Sequence, residues 1–115
     1  MNFIHCDPAL LLETIGGDLA IFDMLAEIFF REIGVKFTSM KIAAGAGDLQ
    51  SLRDHSHALK GTVGPLAPRR LLQMLQQLED ECEQMRCECD DQRLAAIRAE
   101  LSAVAAELRH FMASL

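Results

Sequence analysis

Apolar positions along this chain recur at alternating spacings of three and four, the period of α-helices that each bury one face. Leu71, Leu75, Leu78, Cys82 and Met85 form one such stripe, and Leu94, Ile97, Leu101, Val104, Leu108 and Phe111 form another. Between residues 18 and 44 the apolar positions divide into two seams. Phe22, Leu25, Phe29, Ile33, Phe37 and Met40 make the first, and Ile21, Met24, Ile28, Val35 and Ile42 make the second. Asp23, Glu27, Arg31, Thr38 and Lys41 leave only a narrow polar stripe, with Gly34 on it, so this long helix is expected to need neighbours on more than one side.

The breaks between stripes carry helix punctuation. Asp7-Pro8 reads as a cap followed by proline in the first turn of a short helix through Ile15, which Gly16-Gly17 ends. Asp18 caps the long helix, Ala44-Gly45-Ala46-Gly47 interrupts it, and Asp48 caps a third helix that Pro65 stops near Gly64. Pro68 restarts a fourth, and the run from Cys87 to Asp91 is a turn containing the cap of a fifth. Short connections between amphipathic helices favour antiparallel neighbours. The expected fold is therefore all-α, an antiparallel up-down four-helix bundle with a short N-terminal capping helix, in a single domain spanning residues 1–115.

Composition narrows the function. Trp and Tyr are absent, and half the residues are hydrophobic, which suits a helical core. With 11 basic and 17 acidic residues the net charge is −6, which argues against nucleic acid as a partner. The apolar run from Ala9 to Leu12 is far too short to span a bilayer, and the N-terminus carries no signal-peptide pattern, so a cytoplasmic location without membrane attachment is expected. The four cysteines Cys6, Cys82, Cys87 and Cys89 then read as reduced thiols. No spacing among Cys82, Cys87 and Cys89 matches a four-ligand zinc site, so no metal is expected.

The third helix departs from an ordinary bundle member. Leu52, Ser56, Leu59, Val63 and Leu66 form its inward stripe, which places Arg53, Asp54, His57, Lys60, Gly61 and Gly64 on the opposite face. His57 should point at water, whereas His55, some 160° away around the helix, should border the core. Glycine inside a helix costs about 1 kcal/mol relative to alanine, and two of them, Gly61 and Gly64, follow the exposed imidazole on its own side of the helix. Bare backbone beside His57 implies that something bulky approaches. His5 and His110 fall in no pattern, and Asp54-x-x-His57 faces outward, unlike the inward carboxylate and histidine pairs of di-metal bundles.

His57-Ala58-Leu59-Lys60-Gly61, extended by Thr62-Val63-Gly64 and then Leu71 to Glu79, resembles the core motif of the histidine-containing phosphotransfer (HPt) domains of multistep two-component signalling. Upstream, Leu10-Leu11-Leu12 followed by Gly16-Gly17-Asp18 is similar to that family's entry into its first long helix, and Pro65-Leu66-Ala67-Pro68 departs from the small-residue turn that often follows the motif.

The resemblance implies that His57 accepts a phosphoryl group from an aspartyl phosphate on a response-regulator receiver domain and passes it to another receiver. It implies a hybrid sensor histidine kinase upstream, and Mg²⁺ held by the receiver rather than by this chain. Lys60 would supply positive charge to the phosphoryl oxygens, while Gly61 and Gly64 would give steric access. Docking is expected on the third helix and adjoining parts of the second and fourth, Arg69 and Arg70 included. Such a protein is a phosphocarrier without kinase activity of its own, and is expected to be a monomer. The alternative is a helical adaptor that binds a receiver or another signalling protein without carrying phosphate.

Overall fold

Four aspartates set where helices begin. Asp7, Asp18, Asp48 and Asp90 each accept the backbone N–H three residues on, from Leu10, Ile21, Ser51 and Arg93, at 2.8–3.1 Å. Each such cap satisfies an amide that the helix itself leaves unpaired. In a computed structural model that describes residues 3–115, the elements are α1 (Pro8–Thr14), α2 (Leu19–Gly45), α3 (Leu49–Val63), a single 3₁₀ turn (Gly64–Leu66), α4 (Arg69–Glu83) and α5 (Asp91–Ala113). No strand occurs among the described residues.

Gly16 and Gly17, at φ +77° and +76°, end α1 in the left-handed region where side chains are disfavoured. Pro65 stops α3, and Ala67, at φ +51°, turns the chain into α4. The Asp7 amide donates to the Leu66 carbonyl at 2.7 Å, so the turn departing from the family's small-residue pattern is tied to the start of α1.

α3 packs against α2 on one side and α4 on the other, and α5 rests on α4 and α2. The inward stripes meet as the pattern requires: Phe22, Phe29, Met40, Leu52, Leu59, Val63, Leu71, Leu75, Leu78, Ile97, Val104 and Leu108 are all buried. Ser56, the one polar residue in the α3 stripe, is fully buried and donates its hydroxyl to the Leu52 carbonyl at 2.7 Å, which removes the cost of an unpaired group. At the N-terminal end the amides of Ile4, His5 and Cys6 converge on the buried Glu107 carboxylate. His5 Nδ1 also lies 3.0 Å from Glu100, so a histidine that fits no sequence pattern serves to fasten the first residues to α5.

Two expectations are corrected. The second seam of α2 has no neighbour: Ile21, Met24, Ile28, Val35 and Ile42 are all exposed, because α3 and α5 both pack on the side of the first seam. Met85 is also exposed, since α4 ends at Glu83 and residue 85 turns through φ +55°.

Candidate functional site

Burying Leu52, Ser56, Leu59 and Val63 turns the opposite side of α3 outward, and the His57 side chain is 71 % exposed. A solvated imidazole ordinarily samples several rotamers. This one is held, because Nδ1 lies 2.9 Å from Oε1 of Glu79 on α4. Nε2 makes no hydrogen bond among the described residues and is the nitrogen left to the outside.

Glu79 is a buried carboxylate, with only 7 % of its side chain exposed. Burial pushes its carboxyl pKa up, but the contacts with Lys60 and His57 and the charge of those neighbours outweigh this, holding it below the usual carboxylate range. It is therefore ionised at neutral pH and has no proton to give. The proton between it and His57 belongs to Nδ1, which makes Nε2 the imidazole nitrogen with a lone pair.

Lys60 lies closer to the protein than the sequence suggests. Its side chain is 20 % exposed, with Nζ 2.8 Å from Oε2 of Glu79 and hydrogen-bonded to Gln76. The approach to Oε2 is off the line of a directed hydrogen bond, so that oxygen is held by charge. Asp54, on the same face of α3, meets Arg53 and Gln50. Gln76 in turn donates to Asp80, so residues at two successive turns of α4 brace the α3 cation. Nearer the start of α3, Arg53 pairs with Glu83 at 2.8 Å and fastens the two helices together.

Gly61 lines an open concavity of about 510 Å³ with His57, Lys60, Leu72, Gln73 and Gln76. A Cβ at Gly61 or Gly64 would meet nothing within 4 Å, so neither glycine is demanded by packing inside the chain. Gly64 does not line the concavity; its amide caps the end of α3. Gly61 also borders a second, more apolar hollow of about 230 Å³ shared with Leu25 and Ile28 of α2 and Pro65, so the surface beside the imidazole continues onto α2. Arg69 and Arg70 are exposed at the start of α4, Arg70 facing Glu100 at 3.4 Å. His55 is half-buried.

The site thus brings together His57, Lys60 and Gly61, adds Glu79 and Gln76, and leaves Gly64 aside. Glu79 had a signal in the sequence: it lies only about 40° from Leu75 around α4, and a carboxylate at the edge of a buried stripe requires a cation or a donor facing it. Among the described residues, no group of three or more histidine, cysteine, aspartate or glutamate side chains is arranged to hold a metal ion.

The chain matches the sequence model of the Hpt domain over residues 24–107. No curated protein matches it. Its fold is similar to the crystal structure of histidine-containing phosphotransfer protein B (HptB) from Pseudomonas aeruginosa PAO1, with a TM-score of 0.86 at 18 % identity over 99 % of each chain.

Proposed function

The chain belongs to the Hpt domain family, and from this we propose that His57 is the phosphoacceptor of a relay between two response-regulator receivers, fed by a hybrid sensor histidine kinase. The single observation that carries this reading is the contact of His57 Nδ1 with ionised Glu79 at 2.9 Å while the ring stays exposed. One nitrogen is fixed as the proton carrier and the other is offered, lone pair outward, to a visiting protein.

In the forward step the Nε2 lone pair attacks the phosphorus of a receiver aspartyl phosphate in line with the departing carboxylate oxygen. The N–P bond forms, the P–O bond to the aspartate breaks, and the aspartate leaves as a free carboxylate. With phosphorus on Nε2 and a proton kept on Nδ1 the imidazole ring carries a positive charge, and Glu79 faces that ring charge with its own. Lys60, braced by Glu79 and Gln76, supplies an ammonium at the rim of the concavity for the phosphoryl oxygens. The reverse step, with a second receiver's aspartate as nucleophile, hands the group on.

In this reading α2–α5 act as a rigid antiparallel up-down four-helix bundle with α1 as its cap, and Mg²⁺ is brought by the receiver. Gly61 gives the receiver's loops room, and the hollow bordered by Leu25, Ile28 and Pro65 extends the docking surface. The working form is a cytoplasmic monomer; among the described residues, no helix is long and apolar enough to cross a membrane.

The test is to mix the protein with a receiver carrying labelled aspartyl phosphate. Transfer of acid-labile, base-stable label to this chain, lost in His57→Ala, supports the proposal. Binding of the receiver that persists in His57→Ala, with no label ever reaching the native chain, makes the protein an adaptor instead.

A further inference from the structure

α2 and α5 leave a groove of about 360 Å³ between them, and none of the residues lining it comes from α3 or α4. It is therefore separate from the His57 concavity. Its floor includes the buried Leu101 and Ala105 with the half-buried Phe37, and its rim carries Lys41, Arg98 and Arg109. No carboxylate lines it.

That charge pattern is unusual for this protein. Acids outnumber bases 17 to 11, and six of the eleven cations, Arg31, Lys36, Arg53, Lys60, Arg70 and Arg93, face a carboxylate. Among the described residues five cations have no such partner, and three of those five are the ones on this groove. Arg109 lies over the Phe30 ring at 4.5 Å, a contact that orients its guanidinium and leaves its charge unneutralised. Gly34, a poor helix former in the middle of α2, also lines the groove, and a Cβ there would meet nothing within 4 Å. The space it leaves open belongs to the groove.

We propose that the α2–α5 groove binds a small amphipathic anion, with an aromatic or alkyl body against Phe37, Leu101 and Ala105 and a carboxylate, sulfonate or phosphate met by Lys41, Arg98 and Arg109. The volume lies in the range of small-ligand sites, roughly 300–1,000 Å³. Guanidinium groups suit planar or tetrahedral anions through paired N–H donors. Because the cations are on the rim, binding weakens as salt rises.

The test is a fluorescence titration with anilinonaphthalene sulfonate at low ionic strength, on the full chain. The expected result is one saturable site, weakened about tenfold or more in the double variant Lys41→Glu, Arg98→Glu and lost in Gly34→Phe. Ile21→Ser and Ile42→Ser, on the exposed seam of α2 and lining neither hollow, should leave binding unchanged. Circular dichroism melts of all variants show whether the helices persist, and both groove changes lie on exposed helix positions. Absence of a saturable site, equal affinity in folded groove variants, or loss of binding in the Ile21 and Ile42 variants instead would each overturn the proposal.

Discussion

Glu79, buried on α4, holds His57 on α3 through Nδ1 at 2.9 Å and so decides which imidazole nitrogen faces the outside. Glu79→Gln keeps an acceptor for the Nδ1 proton but removes the negative charge that, in the proposed transfer, would face the phosphorylated imidazole ring. Single-turnover transfer from a labelled receiver should slow about tenfold in Glu79→Gln, and further in Glu79→Ala, where neither acceptor nor charge remains. Native rates in a folded Glu79→Ala variant would remove the orienting role.

Lys60 contacts the same carboxylate from the other side, 2.8 Å from Oε2. Lys60→Ala should slow transfer by roughly tenfold or more, since one cation near the phosphoryl oxygens is lost. Its effect on folding should be modest, about 1–2 kcal/mol, because Glu79 keeps its contact with His57. Equilibrium urea unfolding separates the two effects; a loss of cooperativity would mean that the lysine is structural first.

Much of this arrangement was legible in the sequence. The outward face of α3 followed from the spacing of Leu52, Ser56, Leu59 and Val63, and the caps from Asp7, Asp18, Asp48 and Asp90. What the pattern could not give was the partner of each polar side chain. Asp54, six residues before Lys60, lies about 120° away around the helix and is no neighbour, and that Glu79 across the α3–α4 interface is the lysine's partner only packing shows. The second seam of α2 is the complementary case: hydrophobic spacing marks a face without saying that the chain covers it, and Ile21, Met24, Ile28, Val35 and Ile42 remain at the surface.

Stability should report the Glu79 contacts as pH falls. Its folded pKa lies below the unfolded one, so the stabilisation is fully present above the unfolded value, near ~4.3, and is lost as pH drops through the depressed folded value. The stability of the native protein should therefore decline more steeply than that of Glu79→Gln below about pH 4.5. Urea midpoints taken through that window check it, and parallel curves would contradict it.

Gly61 separates access from folding. A Cβ there meets nothing within 4 Å, so Gly61→Ala should stabilise α3 by roughly 0.5–1 kcal/mol, whereas Gly61→Trp should stay folded and transfer poorly. Thermal melts and transfer assays on the two variants give the comparison. Full transfer by Gly61→Trp would show that no partner approaches this backbone.

The thiols should react unequally. Burial, then the charge and hydrogen bond of Glu107, push Cys6 up to about 12; burial, then the neighbouring Cys87 and Cys89, push Cys82 up to about 12. Both stay protonated at pH values where a free thiol ionises, and the stability they lend is kept below ~8.5 and lost as pH climbs toward those raised values. Brief alkylation of the native protein, mapped by mass spectrometry, should label the half-buried Cys87 before Cys6 or Cys82.

The most direct measurement is nuclear magnetic resonance of the phosphorylated protein with ¹⁵N-labelled histidine, which identifies the nitrogen bonded to phosphorus. A single phosphoramidate at Nε2 of His57, with Nδ1 still protonated, is the predicted result. Phosphate on Nδ1, or on His5, His55 or His110, would contradict it.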